Sequence, residues 1–369
     1  MRNTVIKHNT FQLGLSLIEL MIAMLVGLIL IGGVLSIFIS SRQSYGINSA
    51  VARIQENARF ALNFISRPTR MAGYMGCGLS NSNFANDLKS NALPFDFTNG
   101  IVGFEYTGTG PGNNYNIPSE NPTPVVGTGN WSPALDASLQ NLVIPGTDVL
   151  VLRYTHITNT AGYVDNSPSP PSGAQFWLTA NPGIQAGDIL VISNCVNTVV
   201  VQATQVNGAG NNHIVVNIGN TYQPGNSVAG IPPTMVGANV ASVGSEVLYI
   251  GKGADGSPAL FEADTDASQA NGFLSQELVP GVENMQLLYG VDTTGSQVPS
   301  QYVTANNVAN WNTVVSVRVA LLLRSDTGAV PLPKTAPKFT LDDATVYTPL
   351  DTRLRQVFTA TIALRNRLP

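Results

Sequence analysis

Gly14-Leu15-Ser16-Leu17-Ile18-Glu19-Leu20-Met21-Ile22-Ala23 is the stretch whose reading decides the fold. A polar leader with two cations, Arg2 and Lys7, and no acids precedes it. From Leu20 to Ser41 the chain then runs for 22 residues without a charge. As a helix this run spans about 33 Å, enough to cross a hydrocarbon core of about 30 Å. Cations ahead of the span put the N-terminus in the cytoplasm and the rest of the chain across the membrane. A secretory signal has a shorter apolar region followed by a small-residue cleavage site, and no Ala-x-Ala follows here. A plain anchor fits the length and leaves Glu19 unexplained. An ionisable group at that position costs up to ~3 kcal/mol if drawn to depth, and otherwise snorkels to the headgroups. Small residues recur at four-residue spacing, Ala23 with Gly27 and Gly32 with Ser36. They allow close helix approach in lipid, or reflect the ordinary abundance of glycine in membrane helices.

Outward from this stretch, the helix is expected to continue. Ile47, Val51, Ile54, Ala58, Ala61 and Ile65 recur at three- and four-residue steps, an apolar stripe suited to packing on a sheet. Pro68 is expected to end the helix, because proline removes a backbone donor and disfavours a helical Arg67. Beyond it, period-two patterns dominate. Val315, Val317, Val319, Leu321 and Leu323 form one apolar face, with Ser316, Arg318 and Arg324 opposite. Met285, Leu287, Tyr289 and Val291 alternate in the same way, as do Phe358, Ala360, Ile362 and Leu364. Asp148–Tyr154 and Ile189–Ser193 are short apolar runs after glycine turns. Such alternation predicts an antiparallel sheet with one buried face, on which the helix lies. Segments 80–142, 155–183 and 207–240 are punctuated by Gly, Pro and Asn and read as surface loops, with room for a second β subdomain. The fold class expected is α+β: a long N-terminal transmembrane and amphipathic helix packed on an antiparallel sheet, with a large loop-rich β insertion.

Of 369 residues only 11% are charged, and the net charge is −4. There is no basic block, so direct nucleic-acid binding is not expected. Neither of the two cysteines, Cys77 and Cys195, lies in a metal-type cluster. They are either paired or two separate buried thiols, and an oxidising compartment favours pairing. Three histidines, His8, His156 and His213, stand apart from one another, and no nucleophile–base motif is present. Gly251-Lys252-Gly253-Ala254-Asp255-Gly256 matches a nucleotide-binding pattern, but a strand and not a helix follows it, so a hairpin turn is expected. Asp264-Thr265-Asp266 begins like a calcium loop and lacks the remaining ligands. No cofactor, metal or enzymatic activity is expected.

Gly14 to Ala23 resembles the class III signal of type IV prepilins. Arg53-Ile54-Gln55-Glu56-Asn57-Ala58-Arg59-Phe60-Ala61-Leu62 and Arg70-Met71-Ala72-Gly73-Tyr74-Met75-Gly76-Cys77 resemble the PilW family of minor pilins. Gly187 to Cys195 and Arg355 to Asn366 resemble that family's second-cysteine segment and closing strand. The resemblance implies cleavage by a prepilin peptidase between Gly14 and Leu15, and N-methylation of Leu15. The family usually has Phe there, and an acidic residue where Pro68 stands. It implies that Glu19 meets the N-terminal amine of a neighbouring subunit in an apolar helix bundle, where pairing offsets the cost of burying both charges. The implied organisation is a leader at 1–14, a pilin helix at 15–66 spanning the membrane at about 20–41, and a periplasmic β-rich domain at 67–369. The implied role is initiation and assembly of type IV pili near the fibre tip, first in the inner membrane and then on the cell surface. The implied partners are other minor pilins, the major pilin and a tip adhesin. The alternatives are a J-type pseudopilin of type II secretion and a membrane-anchored periplasmic binding or adhesion protein.

Overall fold

The structure is a computed structural model that describes residues 16–76, 83–124, 129–156 and 160–367. Its first element is a 55-residue helix, Leu17–Met71. Ser16 caps it: the Ser16 Oγ accepts from the Glu19 backbone N–H at 3.2 Å. Serine followed three residues later by glutamate is the pattern of a capping box, and an acid in the first turn also suits the positive end of the helix dipole.

The far end differs from the expectation at Pro68, which lies inside the helix. Packing outweighs the lost hydrogen bond. Ile65, Thr69 and Ala72 are fully buried against the domain, and the Thr69 hydroxyl donates to the Ile65 carbonyl at 2.6 Å. The helix runs on to Met71 with Ala72 as its cap, and the next residue, Gly73, takes a positive φ of 79° as left-handed helix terminators do. Its N–H donates to the Arg153 carbonyl at 2.8 Å. A Cβ on Gly100 would lie 2.3 Å from the Gly73 Cα, so only glycine permits this close crossing.

Among the described residues, a four-stranded antiparallel sheet runs in the order Gln301–Val303, Val282–Val291, Val314–Arg324, Arg355–Ala363. Ile54, Ala58, Ala61 and Ile65 pack with Met285, Leu287, Val317, Val319, Leu321 and Ile362 in one core. The helical stripe therefore meets the strand face that the alternation picked out. The expectation of a single buried face does not hold for the two central strands. All ten residues of Val282–Val291 are buried, and Ala320 and Leu322 pack with Leu341 and Val346 on the other side. A three-stranded sheet of Asn114–Asn116, Lys338–Leu341 and Ala344–Tyr347 supplies that cover.

The larger sheet has 13 described strands and hinges on one long strand, Asn239–Lys252. Its second half pairs with Pro258–Thr265 on one side and Val149–Thr155 on the other. Its first four residues pair with Ile189–Ser193, which belongs to the insertion. The insertion has a core of its own, with Phe176, Leu178, Leu190, Ile192, Val201 and Ile214 buried together. Among the described strands, pairing is antiparallel except for Asn83–Asn86 with Asn197–Gln202 and Asn114–Asn116 with Ala344–Tyr347.

A buried ionic network ties three neighbouring strands. Arg355 donates to Glu283 at 2.5 and 2.9 Å and to Asp351 at 2.8 and 2.6 Å. Arg324 reaches the same Glu283 at 3.3 Å. All four side chains are nearly inaccessible. Such a network contributes little net stability as a whole but is costly to break, because a remaining charge is left buried without a partner.

Candidate functional site

The helix divides along its length. From Ala50 onward its inner stripe is buried in the core, whereas between Leu17 and Ser49 every residue is exposed or half-exposed. Leu17, Met24, Leu28, Ile31, Val34 and Ile37 are each more than 60% exposed. The most apolar 18-residue window has a mean hydropathy of 2.8 and is 0% buried. Among the described residues this is the one helix long and apolar enough to cross a membrane. Among the described residues nothing beyond the helix's own backbone lies within 4 Å of a Cβ built on Gly27, Gly32 or Gly33, so these glycines meet no packing partner there. The apolar face needs a bilayer or other helices to shield it from water.

Glu19 sits in the first turn of this exposed segment. Gly14 and Leu15 lie outside the described residues, as does Cys77. Cys195 follows Ile189–Ser193 with a φ of 69°. No cysteine among the described residues is a free thiol. Gly76 lies against the end of the same strand: a Cβ there would be 3.5 Å from the Ser193 Cβ. The chain leading into Cys77 and the strand leading into Cys195 are thus neighbours.

The glycine motif at 251–256 forms the turn of the Asn239–Lys252/Pro258–Thr265 hairpin, as its sequence context implied. Asp264 and Asp266 do not act together. The Asp266 carboxylate accepts from the Ser268 backbone at 2.8 Å. Asp264 instead joins Glu246 and Glu262, and their carboxylate oxygens lie within 4.8 Å of one another. Sequence reading missed this cluster because register creates it: Glu246 pairs with Asp264 across the hairpin. The Tyr154 hydroxyl donates to the Glu246 carboxylate. Burial pushes the Glu246 carboxyl up to about 8, against the bond from Tyr154 and with the charges of Glu262 and Asp264 adding to the rise. Glu262 and Asp264 are also raised, first by burial. Glu246 thus retains its proton near neutrality. The cluster borders a groove that Arg67, Arg70 and Arg365 line from the helix and the C-terminal turn.

His156 is exposed near Tyr154. His213 stacks on Trp177 at 4.2 Å and shares a 3.0 Å hydrogen bond with Gln175, so its ring is more engaged than a solvated loop histidine. A second carboxyl pair lies in the interior. Asp148 accepts from the backbone of Tyr106 and Leu287 at 3.0 and 2.8 Å, joining the two sheets. Burial and the neighbouring Asp148 push Glu105 up to about 9.

Comparison with known proteins adds two findings. Residues 247–366 match the family model described as type IV pilus-assembly protein W, PilW. The match takes in the glycine hairpin and the four-stranded sheet and leaves the insertion and the helix outside. A type IV-like pilin from Thermus thermophilus aligns at 11% identity over 86% of this chain and 98% of its own, with a TM-score of 0.32. No curated protein matches.

Proposed function

We propose that this chain is a minor pilin of the PilW type, an assembly component of type IV pili and not a catalyst. The observation that carries the reading is the divided helix: one part is locked into the domain core, and the other is apolar and uncovered among the described residues. The match of residues 247–366 to the PilW family supports the same reading and favours it over a J-type pseudopilin. On this reading a prepilin peptidase cuts between Gly14 and Leu15, and the Leu15 amine is methylated. The chain waits in the inner membrane with its β domain in the periplasm. Its neighbours are other minor pilins and the major pilin, near the fibre tip. The approach of Gly76 to Ser193 supports a Cys77–Cys195 disulfide in that compartment.

Glu19 has two roles to separate. Within the chain its backbone N–H donates to the Ser16 cap, a bond that glutamine at 19 keeps. Between subunits its charge would pair with the Leu15 amine, which glutamine does not reproduce. Glu19→Gln therefore tests the intersubunit role alone. The expected result is a mature chain beginning at N-methyl-Leu15 by mass spectrometry, with Glu19→Gln cleaved normally yet lost from sheared pili. An uncut Met1 would overturn the class of protein proposed, whereas incorporation of Glu19→Gln at the wild-type level would overturn only the charge pairing.

A further inference from the structure

A polar groove of about 520 Å³ lies between the 107–113 loop and the edge strand Gln301–Val303 with its following turn Ala305–Asn307. Its volume is in the range of small-molecule sites. What distinguishes it is the state of its amides. The Thr304 hydroxyl donates to the Asn306 Oδ1 at 2.6 Å and accepts from the Asn307 Nδ2 at 2.9 Å. Thr304 itself is 8% exposed, so a buried hydroxyl fixes two amides in place. An amide carries both a donor and an acceptor end. One end of each is spent on Thr304, which leaves the Asn306 NH2 and the Asn307 carbonyl oxygen for a ligand. A donor beside an acceptor on one short turn complements a hydroxyl group, which donates and accepts at once.

The rest of the lining agrees. Asn113 faces in from the opposite loop, and Tyr302 supplies an aromatic ring. The Arg318 guanidinium sits 4.1 Å from the Tyr302 ring centroid, which holds the ring in place. No lysine or arginine lines the groove, and its one carboxyl, Glu105, shares a buried hydrogen bond with Asp148. A phosphate, a nucleotide or a sialylated sugar would find no cation on the groove's own walls, with Arg318 engaged behind the Tyr302 ring. Val303 and Pro111 are its apolar side chains, too few to form the alternating pockets that anchor a peptide's side chains.

We infer that this groove binds a neutral, hydroxyl-rich ligand, a glycan without acidic groups, held by Asn306 and Asn307 on one wall and Asn113 on the other. Pre-fixed amides lower the ordering cost of binding, and a site built to hydrogen-bond hydroxyls rejects ligands that lack them.

The inference does not rest on the pilus reading, and its failure would leave that reading intact. The test is an array of neutral and sialylated oligosaccharides probed with the full chain in detergent, followed by titration of the glycans retained. Neutral glycans are expected to bind, and Asn306→Asp and Asn113→Ala each to weaken them tenfold or more with unfolding midpoints unchanged. Asn113 has no side-chain hydrogen bond among those described, so its replacement leaves the fold undisturbed. Retention of sialylated glycans alone, of unglycosylated control peptides alone, or of nothing at millimolar concentration would overturn the inference. So would neutral binding that both variants preserve.

Discussion

Replacing Glu246 by glutamine should make the stability of the domain less sensitive to pH. Glu246 lies at the centre of three carboxyls whose oxygens fall within 4.8 Å of one another, with Tyr154 donating to it from the adjacent strand. Arg67, Arg70 and Arg365 and the His156 ring face the same groove, yet none forms an ion pair with the cluster among the described residues. The folded value of about 8 stands above the ordinary 4.5. The folded state therefore binds more protons than the unfolded chain between those values. Stability is fully present below about pH 4.5 and is lost as pH rises toward 8. Each tenfold change in proton affinity corresponds to about 1.4 kcal/mol, so the ceiling for this group is about 5 kcal/mol. Water entering the groove and proton sharing within the cluster reduce that to about 2–4 kcal/mol. Glutamine keeps an acceptor for Tyr154 and has no proton to lose. The assay is urea unfolding of the full chain in detergent at pH 5, 7 and 8.5, followed by tryptophan fluorescence. The variant should match the wild type within about 1 kcal/mol at pH 5 and exceed it by about 2–4 kcal/mol at pH 8.5. Glu105 and Asp148, pushed up to about 9 and about 7, tilt both proteins alike, so the difference between the curves is the readout. Parallel curves would refute the reasoning.

Two further perturbations probe what ties the domain together. Glu283→Gln leaves Arg324 and Arg355 buried with one fewer negative charge between them and should cost about 3–5 kcal/mol in chemical unfolding; a loss under about 1 kcal/mol would mean that Asp351 and water suffice. Cys195→Ser should remove the proposed Cys77–Cys195 cross-link, between positions 118 residues apart, lowering stability by about 4–5 kcal/mol. A wild-type protein whose unfolding is indifferent to reductant would refute the pairing.

What could be read along the sequence was the information carried by local period. Ile54, Ala58, Ala61 and Ile65 recur within one helix, and their stripe is the buried one. Val317, Val319 and Leu321 lie on one face of one strand, and that face meets the helix. The opposite face was misjudged because Leu341 and Val346, which cover Ala320 and Leu322, arrive from a later hairpin that no local pattern announces. Pro68 shows the converse, where a strong local signal yields to packing by Ile65, Thr69 and Ala72. Polar clusters are the least legible. Glu246, Glu262 and Tyr154 come together through strand register, as do Glu283 and Arg355 across the central strand. Asp264 and Asp266, two positions apart in sequence and suggestive as a pair, part company because the strand ends at Thr265.

The division of the helix has an energetic logic that connects fold to assembly. Residues 50–71 are held by a core that spans both sheets, so the helix leaves the domain in one fixed direction. The preceding segment, Leu17 to Ser49, extends about 50 Å as a helix with its apolar side chains uncovered. At about 25 cal/mol per Å² of apolar surface, leaving it in water would cost more than the domain's whole margin of about 5–15 kcal/mol. The chain thus requires an apolar environment, and lipid and a bundle of like helices are nearly equivalent in this respect. Transfer from one to the other then costs little hydrophobic energy, and small polar differences decide where the helix stops. Glu19 is the one charged residue between Leu17 and Ser41, so axial position in a bundle is most sensitive to what meets its carboxylate. On the proposed reading, a variant that retains the cap and lacks the charge isolates the step from membrane to fibre, while leaving the anchoring of the helix to the domain unchanged.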